Sequence, residues 1–282
     1  MRSTDDRVSL TGLAGSKNLE SPVPGAQELI QNSFIFLERV KRGFEENLWN
    51  QGIYTWDSFL NSKKVNGLSN RRKLYYNRKI LEARKQLYNF NSTYFKNILP
   101  QSEYYRLYDF FKEDGVFLDI ETTGLDMKNN DITLIGLFDG VNTKTMIKNI
   151  NFDYKTLKNE LKKYKLIVTF NGSSFDVPFI NKLYPNLLPD IPNFDVKSIT
   201  DKLGLKGGLK EIEKKLGIKR NKIIEKFYGG DALKLWKMYR ATGDDYYLKL
   251  LVEYNEEDIV NLKTIADYCV KKLTINFPKT MG

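Results

Sequence analysis

The segment VFLDIE, from Val116 to Glu121, constrains the fold more than any other stretch of this chain. Most of it is apolar, which is typical of a buried strand, yet Asp119 and Glu121 place two carboxylates on it. Side chains two positions apart on a strand point to the same face, so these carboxylates are neighbours. Because unpaired buried charges are strongly destabilising, the segment predicts a strand whose end holds a cation.

The composition limits which cation this can be. The 282 residues include no histidine and one cysteine, Cys269, which we expect to be a small apolar filler of a helix. Zinc sites that use histidine, Ser-His-Asp triads and histidine general bases are therefore excluded, as are cysteine-rich metal clusters. Oxygen ligands remain, and oxygen-only sites favour Mg²⁺ or Mn²⁺.

The content of 41% hydrophobic and 13% aromatic residues predicts a folded core. No apolar run approaches the roughly 20 residues of a membrane span, and the N-terminus lacks the apolar region of a signal peptide. We therefore expect a cytoplasmic protein without a membrane partner.

Helical signals dominate residues 32–113. Two short amphipathic helices are predicted to meet at Gly52, with Thr55 as the N-cap of the second. A longer helix follows, and its inward-facing stripe consists of Ile80, Ala83 and Leu87. This part of the chain is therefore expected to be a small all-α module.

The same module carries most of the positive charge. Between residues 61 and 100, ten basic residues face one acid, Glu82, which leaves +9 of the chain's net charge of +10. The aromatic residues interleaved with them include Tyr75, Tyr76, Tyr88, Tyr94 and Phe95. A charge run is usually a solvated face, but one-sided charge with aromatics favours nucleic-acid contact. The candidate substrate-binding residues here are Arg71, Arg72 and Lys73.

From residue 115 onwards the pattern changes to short strands and helices. The segments at 116–121, 131–139 and 143–150 predict an antiparallel meander, because Gly, Asn and Asp turns separate them. The later elements are predicted to be a helix at 153–164, a buried strand at 165–170, a helix at 175–184, a strand at 193–199, a helix at 207–218 capped by Gly217, and a long helix at 244–273. This order predicts an α/β fold with a mixed sheet flanked by helices.

Three further residues suit the predicted metal site. Asp176 follows an Asn-Gly turn at the start of a helix, where the helix N-terminus favours a carboxylate. Tyr254 and Asp258 are four apart on a helix, so they share one face.

Four carboxylates and a phenol could hold two divalent ions about 4 Å apart and orient an attacking water. Taken singly, each feature has an ordinary explanation: a structural acid pair, a plain turn, a polar helix face. Their joint occurrence at the ends of predicted elements favours the metal site.

Three motifs carry a family resemblance: DIETTG at 119–124, NGSSFDVPFI at 171–180 and YNEEDIVNL at 254–262. They resemble the exonuclease motifs of the DEDD superfamily in its tyrosine-bearing branch, DEDDy. The chain is similar in particular to the proofreading domains of family-B DNA polymerases and to the YprB-like RNase H-like family. The segments at 207–220 and 232–239 resemble the YprB-like group more closely, and the resemblance covers roughly residues 32–272.

The resemblance implies an RNase H-like fold and metal-dependent 3′→5′ removal of nucleotides from single-stranded or frayed DNA or RNA. The metal ligands that it implies are Asp119, Glu121, Asp176 and Asp258, and it makes Tyr254 the water-orienting residue. Implied substrate contacts are Thr122, Thr123, Asn171 and Phe175. Asp195 matches an acid common in such families, and a structural cap explains it equally well. The domains are then a flexible tail at 1–31, the helical module at 32–113, the exonuclease domain at 114–275 and a tail at 276–282.

The resemblance is incomplete at its start. Relatives often open with a helix-hairpin-helix element, and the matching stretch at 34–53 lacks its Gly-x-Gly hairpin. Two alternatives stay open: a nucleic-acid-binding protein without catalysis, and a structure-specific endonuclease or RNA-processing nuclease that uses the same metal chemistry.

Overall fold

The structure, a computed structural model, describes residues 29–220 and 231–275. The predicted tail at 276–282 lies outside the described residues, and so does the predicted tail at 1–31 up to residue 28. The chain that follows begins with a 3₁₀ helix, Leu29–Asn32, in which Leu29 and Ile30 are buried in the core. The packed structure therefore starts at least two residues before the predicted end of that tail.

The α-helices of the described residues are, in chain order, α1 (Arg42–Asn50), α2 (Trp56–Asn61), α3 (Asn70–Tyr88), α4 (Ser92–Ile98), α5 (Tyr108–Phe111), α6 (Tyr154–Leu161), α7 (Asp176–Leu183), α8 (Val196–Lys202), α9 (Leu209–Leu216), α10 (Ala232–Thr242) and α11 (Asp245–Ile275). Two further 3₁₀ helices, Gln101–Leu107 and Lys112–Asp114, flank α5. None of the described helices is both long and apolar enough to span a bilayer.

The strands form one five-stranded sheet in the order β3-β2-β1-β4-β5. Their bounds are β1 (Gly115–Thr122), β2 (Ile132–Phe138), β3 (Thr143–Ile147), β4 (Leu166–Thr169) and β5 (Asn193–Asp195). The first three strands pair antiparallel, whereas β4 pairs parallel with both β1 and β5. The predicted meander and the mixed sheet are thereby confirmed.

The two faces of β1 bury different layers. Val116, Leu118 and Ile120 pack with α6 and α7. Phe117 points the other way, into a cluster that includes α11 and the helical module. Strand alternation therefore puts Asp119 and Glu121, which share the face of Phe117, on the α11 side of the sheet.

The helical module follows its sequence signals. Thr55 caps α2 in a capping box: its hydroxyl accepts a hydrogen bond from the Ser58 N–H at 3.1 Å, and the Thr55 N–H donates to the Ser58 hydroxyl at 2.8 Å. The stripe of α3 that faces the core includes the three predicted residues Ile80, Ala83 and Leu87. Gly217 adopts φ +73° at the end of α9, as a C-terminal cap requires.

One element differs from its predicted form. The strand predicted at 193–199 ends at Asp195, and α8 begins at the next residue. Asp195 causes the change, because its carboxylate accepts a hydrogen bond from the Lys197 N–H at 3.1 Å and so acts as the N-cap of α8. A capping carboxylate at this position outweighs the apolar alternation on which the strand prediction relied.

Candidate active site

The end of β1 positions the first two acids. Asp119 and Glu121 are partly buried, point toward α11 and lie opposite Gly136 and Leu134 of β2. The register between the strands shifts between Glu121 and Thr122, so a bulge lies directly after the carboxylates. The pair therefore stands where the sheet ends and α11 crosses it.

Asn255 of α11 holds Asp119 in place. This asparagine is fully buried, and its side-chain amide donates a hydrogen bond to Asp119 Oδ2 at 2.8 Å. The close approach depends on Gly136, because a Cβ there would lie 1.7 Å from Asn255 Oδ1. Sequence reasoning missed both residues, although a glycine inside the otherwise apolar β2 signals a close approach of another group.

The middle of α11 brings the third acid to the same place. Tyr254 and Asp258 lie one helical turn apart and are only 9% and 8% exposed. Asp119, Glu121 and Asp258 each offer a carboxylate oxygen, and these three oxygens lie within 4.8 Å of one another. Acids from β1 and α11, 137 and 139 positions apart in the chain, therefore converge on one point.

Asp176 reaches the sheet from the opposite helical layer. It is the first residue of α7, is buried, and accepts a hydrogen bond through Oδ1 from the Ile120 N–H at 3.0 Å. One of its oxygens is thus committed to the backbone of β1 between the two strand acids. Its charge acts on Asp119 and Glu121.

Burial and mutual repulsion raise the pKa of all four carboxyls. The pKa values of Asp119 and Glu121 lie well above their ordinary range, because both groups are desolvated and stand beside other acids. Desolvation also raises the pKa of Asp176 to about 7 and that of Asp258 to about 6, although Arg220 counteracts the rise at Asp258. Such a cluster favours either protons or a bound cation.

Tyr254 is a protonated phenol. Burial, and then the charge of Asp258, raises its pKa above the ordinary value of 10. Two cations lie against its ring: Lys210 Nζ is 4.7 Å and Arg220 Cζ is 5.7 Å from the ring centroid. The hydroxyl can therefore orient a neighbouring group through hydrogen bonds, but it is not a base at neutral pH.

Comparison with known proteins identifies the domain that holds these residues. Residues 116–270 match the family model described as the RNase_H superfamily. The chain belongs to the RNase H superfamily. The structure of the family B DNA polymerase from the hyperthermophilic archaeon Pyrobaculum calidifontis is similar over 55% of this chain and 24% of that chain, with 15% sequence identity and a TM-score of 0.44. No curated protein matches the chain.

The donor set of the RNase H superfamily domain fits a hard divalent cation. Its converging groups are carboxylates, and three of their oxygens lie close enough together to share one ion. Oxygen donors of this kind suit Mg²⁺ or Mn²⁺, and a cation would remove the repulsion that raises the four pKa values. The residues that would hold it are Asp119, Glu121 and Asp258, whereas Asp176 lies outside this group of three.

The residues predicted to contact substrate beside the first motif brace the loop after β1. The Thr122 hydroxyl donates to the Gly124 carbonyl at 2.8 Å, and the Thr123 hydroxyl donates to Asn130 Oδ1 at 3.0 Å. Both threonines remain partly exposed in the RNase H superfamily domain.

The second motif forms a turn that hydrogen bonds to Asp195 hold in place. Asn171 is exposed with φ +61°, and its N–H donates to Asp195 Oδ1 at 2.8 Å. The Ser173 N–H donates to the other oxygen of Asp195 at 3.0 Å. Phe175, directly before α7, is partly buried with its ring centroid 5.4 Å from that of Phe179. Asp195 therefore holds the turn together and caps α8, which supports the structural interpretation of this acid.

The three basic candidates of the helical module have different environments. Arg71 is exposed, whereas Arg72 donates to the Glu38 carbonyl at 3.1 Å and to the Tyr76 hydroxyl at 3.0 Å. Lys73 is 7% exposed and lies 5.1 Å from the centroid of the Phe59 ring. The exposed outer face of α3 instead presents three basic residues seven positions apart, Arg71, Arg78 and Lys85.

Proposed function

We propose that this chain is a Mg²⁺- or Mn²⁺-dependent nuclease that removes nucleotides from the 3′ end of single-stranded or frayed nucleic acid. The superfamily membership supports hydrolysis of phosphodiester bonds. The observation that carries the proposal is the convergence of three carboxylate oxygens within 4.8 Å, one helical turn from the phenol of Tyr254.

The order of the three motifs supports placing the chain in the tyrosine-bearing DEDD branch, near the YprB-like group. In that branch the third motif carries a tyrosine four residues before its aspartate, as Tyr254 precedes Asp258 here. Activity from a 3′ end is the activity that this resemblance implies.

Each residue of the proposed site has a distinct task. Asp119, Glu121, Asp176 and Asp258 would hold two divalent ions, which when bound lower the pKa of water and stabilise the leaving oxygen. Tyr254 keeps its proton and orients the attacking water by a hydrogen bond. Asn255 fixes the carboxylate of Asp119, and the Ile120 N–H fixes that of Asp176.

The exposed basic face of α3 is the proposed contact for the rest of the strand. Leu74 and Leu81 are exposed between its three basic residues, and Tyr88 is exposed after the last of them. The face therefore offers charge for phosphates and apolar surface for bases. Bases can reach such a surface only when they are unstacked, which supports a preference for single strands.

The test compares the wild-type protein with Asp119→Asn in Mn²⁺, on 5′-labelled single-stranded DNA and RNA. We expect a ladder of products shortened from the 3′ end for the wild type, and a loss of more than about a hundredfold in rate for the variant. Glu113→Gln is the matched control, because it removes an exposed acid at the opposite end of β1.

The same assay separates the alternatives. A 3′-blocked oligonucleotide that is cut internally would replace the exonuclease proposal by an endonuclease. If the wild type and Asp119→Asn bind nucleic acid equally and neither cuts it, the nuclease proposal is refuted in favour of a binding protein.

A further inference from the structure

Arg220 occupies a fixed position beside the candidate site. It follows α9, and its guanidinium donates to Glu213 through Nε at 2.5 Å and through Nη2 at 2.8 Å. Nη2 also contacts Asp258. Glu213 is itself buried and receives a further hydrogen bond from the Asn261 amide of α11 at 3.0 Å. The guanidinium is therefore held between α9 and α11.

One nitrogen of this guanidinium, Nη1, makes none of these contacts. Nη1 of Arg220 is shielded from water and has no hydrogen-bond acceptor within the part of the chain that the structure describes. Buried donors in native proteins nearly always have a partner, so an unmatched one beside the candidate site indicates that a ligand supplies the acceptor. Its two N–H groups suit an acceptor with several oxygens, as a phosphate has.

Lys210 adds a second positive charge at the same spot. It lies in the first turn of α9, and its Nζ and the Arg220 guanidinium both lie against the ring of Tyr254. Its charge also acts on Asp258 and Glu121. Both cations therefore adjoin the phenol that is proposed to orient the attacking water.

The charges around the site support a role toward phosphate. Among the described residues, acids outnumber the two cations Arg220 and Lys210 here; the acids are Asp119, Glu121, Asp176, Asp195, Glu213 and Asp258. Removing either cation would make the site more negative and so weaken its attraction for a phosphate.

We propose that Arg220 and Lys210 bind the phosphate of the nucleotide that occupies this site, Arg220 through its Nη1 edge. The inference rests on the proposed nuclease function and adds two substrate-binding residues to it. The resemblance to the exonuclease motifs gave neither residue, since both lie outside the three motifs.

The test measures binding of a 5′-fluorescein-labelled oligothymidylate by anisotropy, with Ca²⁺ in place of Mg²⁺. We expect Arg220→Gln and Lys210→Gln each to weaken binding by about tenfold, because each removes a charged hydrogen-bond donor. Lys219→Gln is the matched control: it removes the same charge next to Arg220 but from an exposed side chain, so its affinity stays within about twofold of wild type. Arg220→Lys keeps the positive charge but not the planar guanidinium, so its affinity for the oligonucleotide should lie between those of the wild type and Arg220→Gln.

A second measurement separates phosphate binding from an indirect effect on the metal ligands. In a calorimetric titration with Mn²⁺ alone, we expect Lys210→Gln and Arg220→Gln to bind Mn²⁺ at least as tightly as the wild type does. Removing a nearby positive charge favours the binding of a cation. A loss of Mn²⁺ uptake that parallels the loss of oligonucleotide would overturn the inference. If Arg220→Gln does not fold, as its melting curve would reveal, Lys210→Gln decides alone, because that variant keeps the hydrogen bonds that Arg220 and Asn261 donate to Glu213.

The wild-type protein distinguishes the two proposals. A wild type that cleaves, with both variants as tight and as fast as Lys219→Gln, overturns the phosphate role and leaves the nuclease standing. A wild type that neither binds the oligonucleotide nor cleaves it overturns both.

Discussion

At the scale of single residues, a variant of Tyr254 can distinguish a catalytic role of its hydroxyl from a packing role of its ring. Its phenol is mostly buried and its pKa is raised, so the hydroxyl is a hydrogen-bonding group throughout the neutral range. Tyr254→Phe deletes that group and keeps the ring that the two cations contact. We expect Mn²⁺ affinity to be unchanged and turnover to fall by about a hundredfold, measured by steady-state cleavage beside a Mn²⁺ titration.

Tyr246→Phe is the matched control on the same helix, because its ring is exposed. An unchanged rate for Tyr254→Phe at saturating metal would show that Tyr254 serves packing alone.

The roles of residues could be predicted from the sequence where one local rule, such as strand or helix spacing, determined them. The four candidate acids and the phenol were predicted from their positions on the expected strands, turn and helices, and the structure brings Asp119, Glu121 and Asp258 together. Lys73 was grouped with the exposed basic residues, although it lies three positions before Tyr76 and seven before Ile80, on the buried stripe of α3. The helical period predicts that Lys73 is buried, whereas a count of basic residues does not. Arg220 could not be found in this way, because one basic residue among many gives no sign of a partner 38 positions away.

At the scale of elements, the contact of α11 with β2 sets the height of the site above the sheet. Gly136 and Asn255 meet there, and the clash of an added Cβ would be with the side chain of Asn255. Gly136→Ala should therefore destabilise the protein by about 1–3 kcal/mol, since overpacking forces α11 away from the sheet. Asn255→Ala should weaken Mn²⁺ binding by about tenfold, because Asp119 loses the donor that orients it.

The double variant gives the sharper result. Once Asn255 is alanine, the methyl group at position 136 has room, so Gly136→Ala should cost almost nothing in that background. Urea unfolding of the four proteins measures this coupling. Equal costs of Gly136→Ala in both backgrounds would show that another neighbour of Gly136, and not Asn255, limits the approach.

The elements themselves were largely predictable, and the exceptions have physical causes. The antiparallel meander, the N-cap Thr55, the C-cap Gly217 and the long final helix follow from local patterns, and the structure confirms them. The end of β5 at Asp195 was not predicted, because the carboxylate serves two partners at once: the N-terminus of α8 and the distant turn at 171–173. Sequence spacing predicts the contact with the adjacent helix terminus, but not the contact with a turn that is distant in the chain.

At the scale of the whole molecule, Arg106 joins distant parts of the helical module, and its partner Glu103 also contacts the sheet domain. It is fully buried before β1 and donates to both oxygens of Glu45 in α1 at 2.9 Å, and through Nε to Glu103 at 2.6 Å. Lys202 of α8 also contacts Glu103, at 3.5 Å. Arg106→Ala would leave a buried carboxylate unpaired, and we expect it to lower the free energy of unfolding by about 3–5 kcal/mol.

Urea unfolding measures the loss. Arg84→Ala is the control, because its ion pair with Asp57 is largely exposed and should contribute less than about 1 kcal/mol. Equal effects of the two variants would mean that the buried network stabilises the fold no more than an exposed ion pair does.

The four site acids also determine how the stability of the metal-free protein depends on pH. Their pKa values are raised in the folded state, to about 7 for Asp176 and about 6 for Asp258, whereas unfolded carboxyls titrate near pH 4. The folded protein therefore binds more protons than the unfolded chain between those values, and its stability falls as pH rises through this window. The chain has no histidine, so no imidazole titration masks the effect.

In EDTA, we expect the melting temperature to be higher at pH 5 than at pH 8, because at pH 8 the four carboxylates are ionised and repel one another. With Mn²⁺ the order should reverse: the stabilisation by the ion grows with pH, since protons no longer compete for the same oxygens. Asp119→Asn removes one charge from the cluster and should flatten both dependences, whereas Glu113→Gln should follow the wild type. A melting temperature in EDTA that rises steadily from pH 5 to pH 8 would mean that the four acids are not packed closely enough to share ions, and the proposed metal site would fail with them.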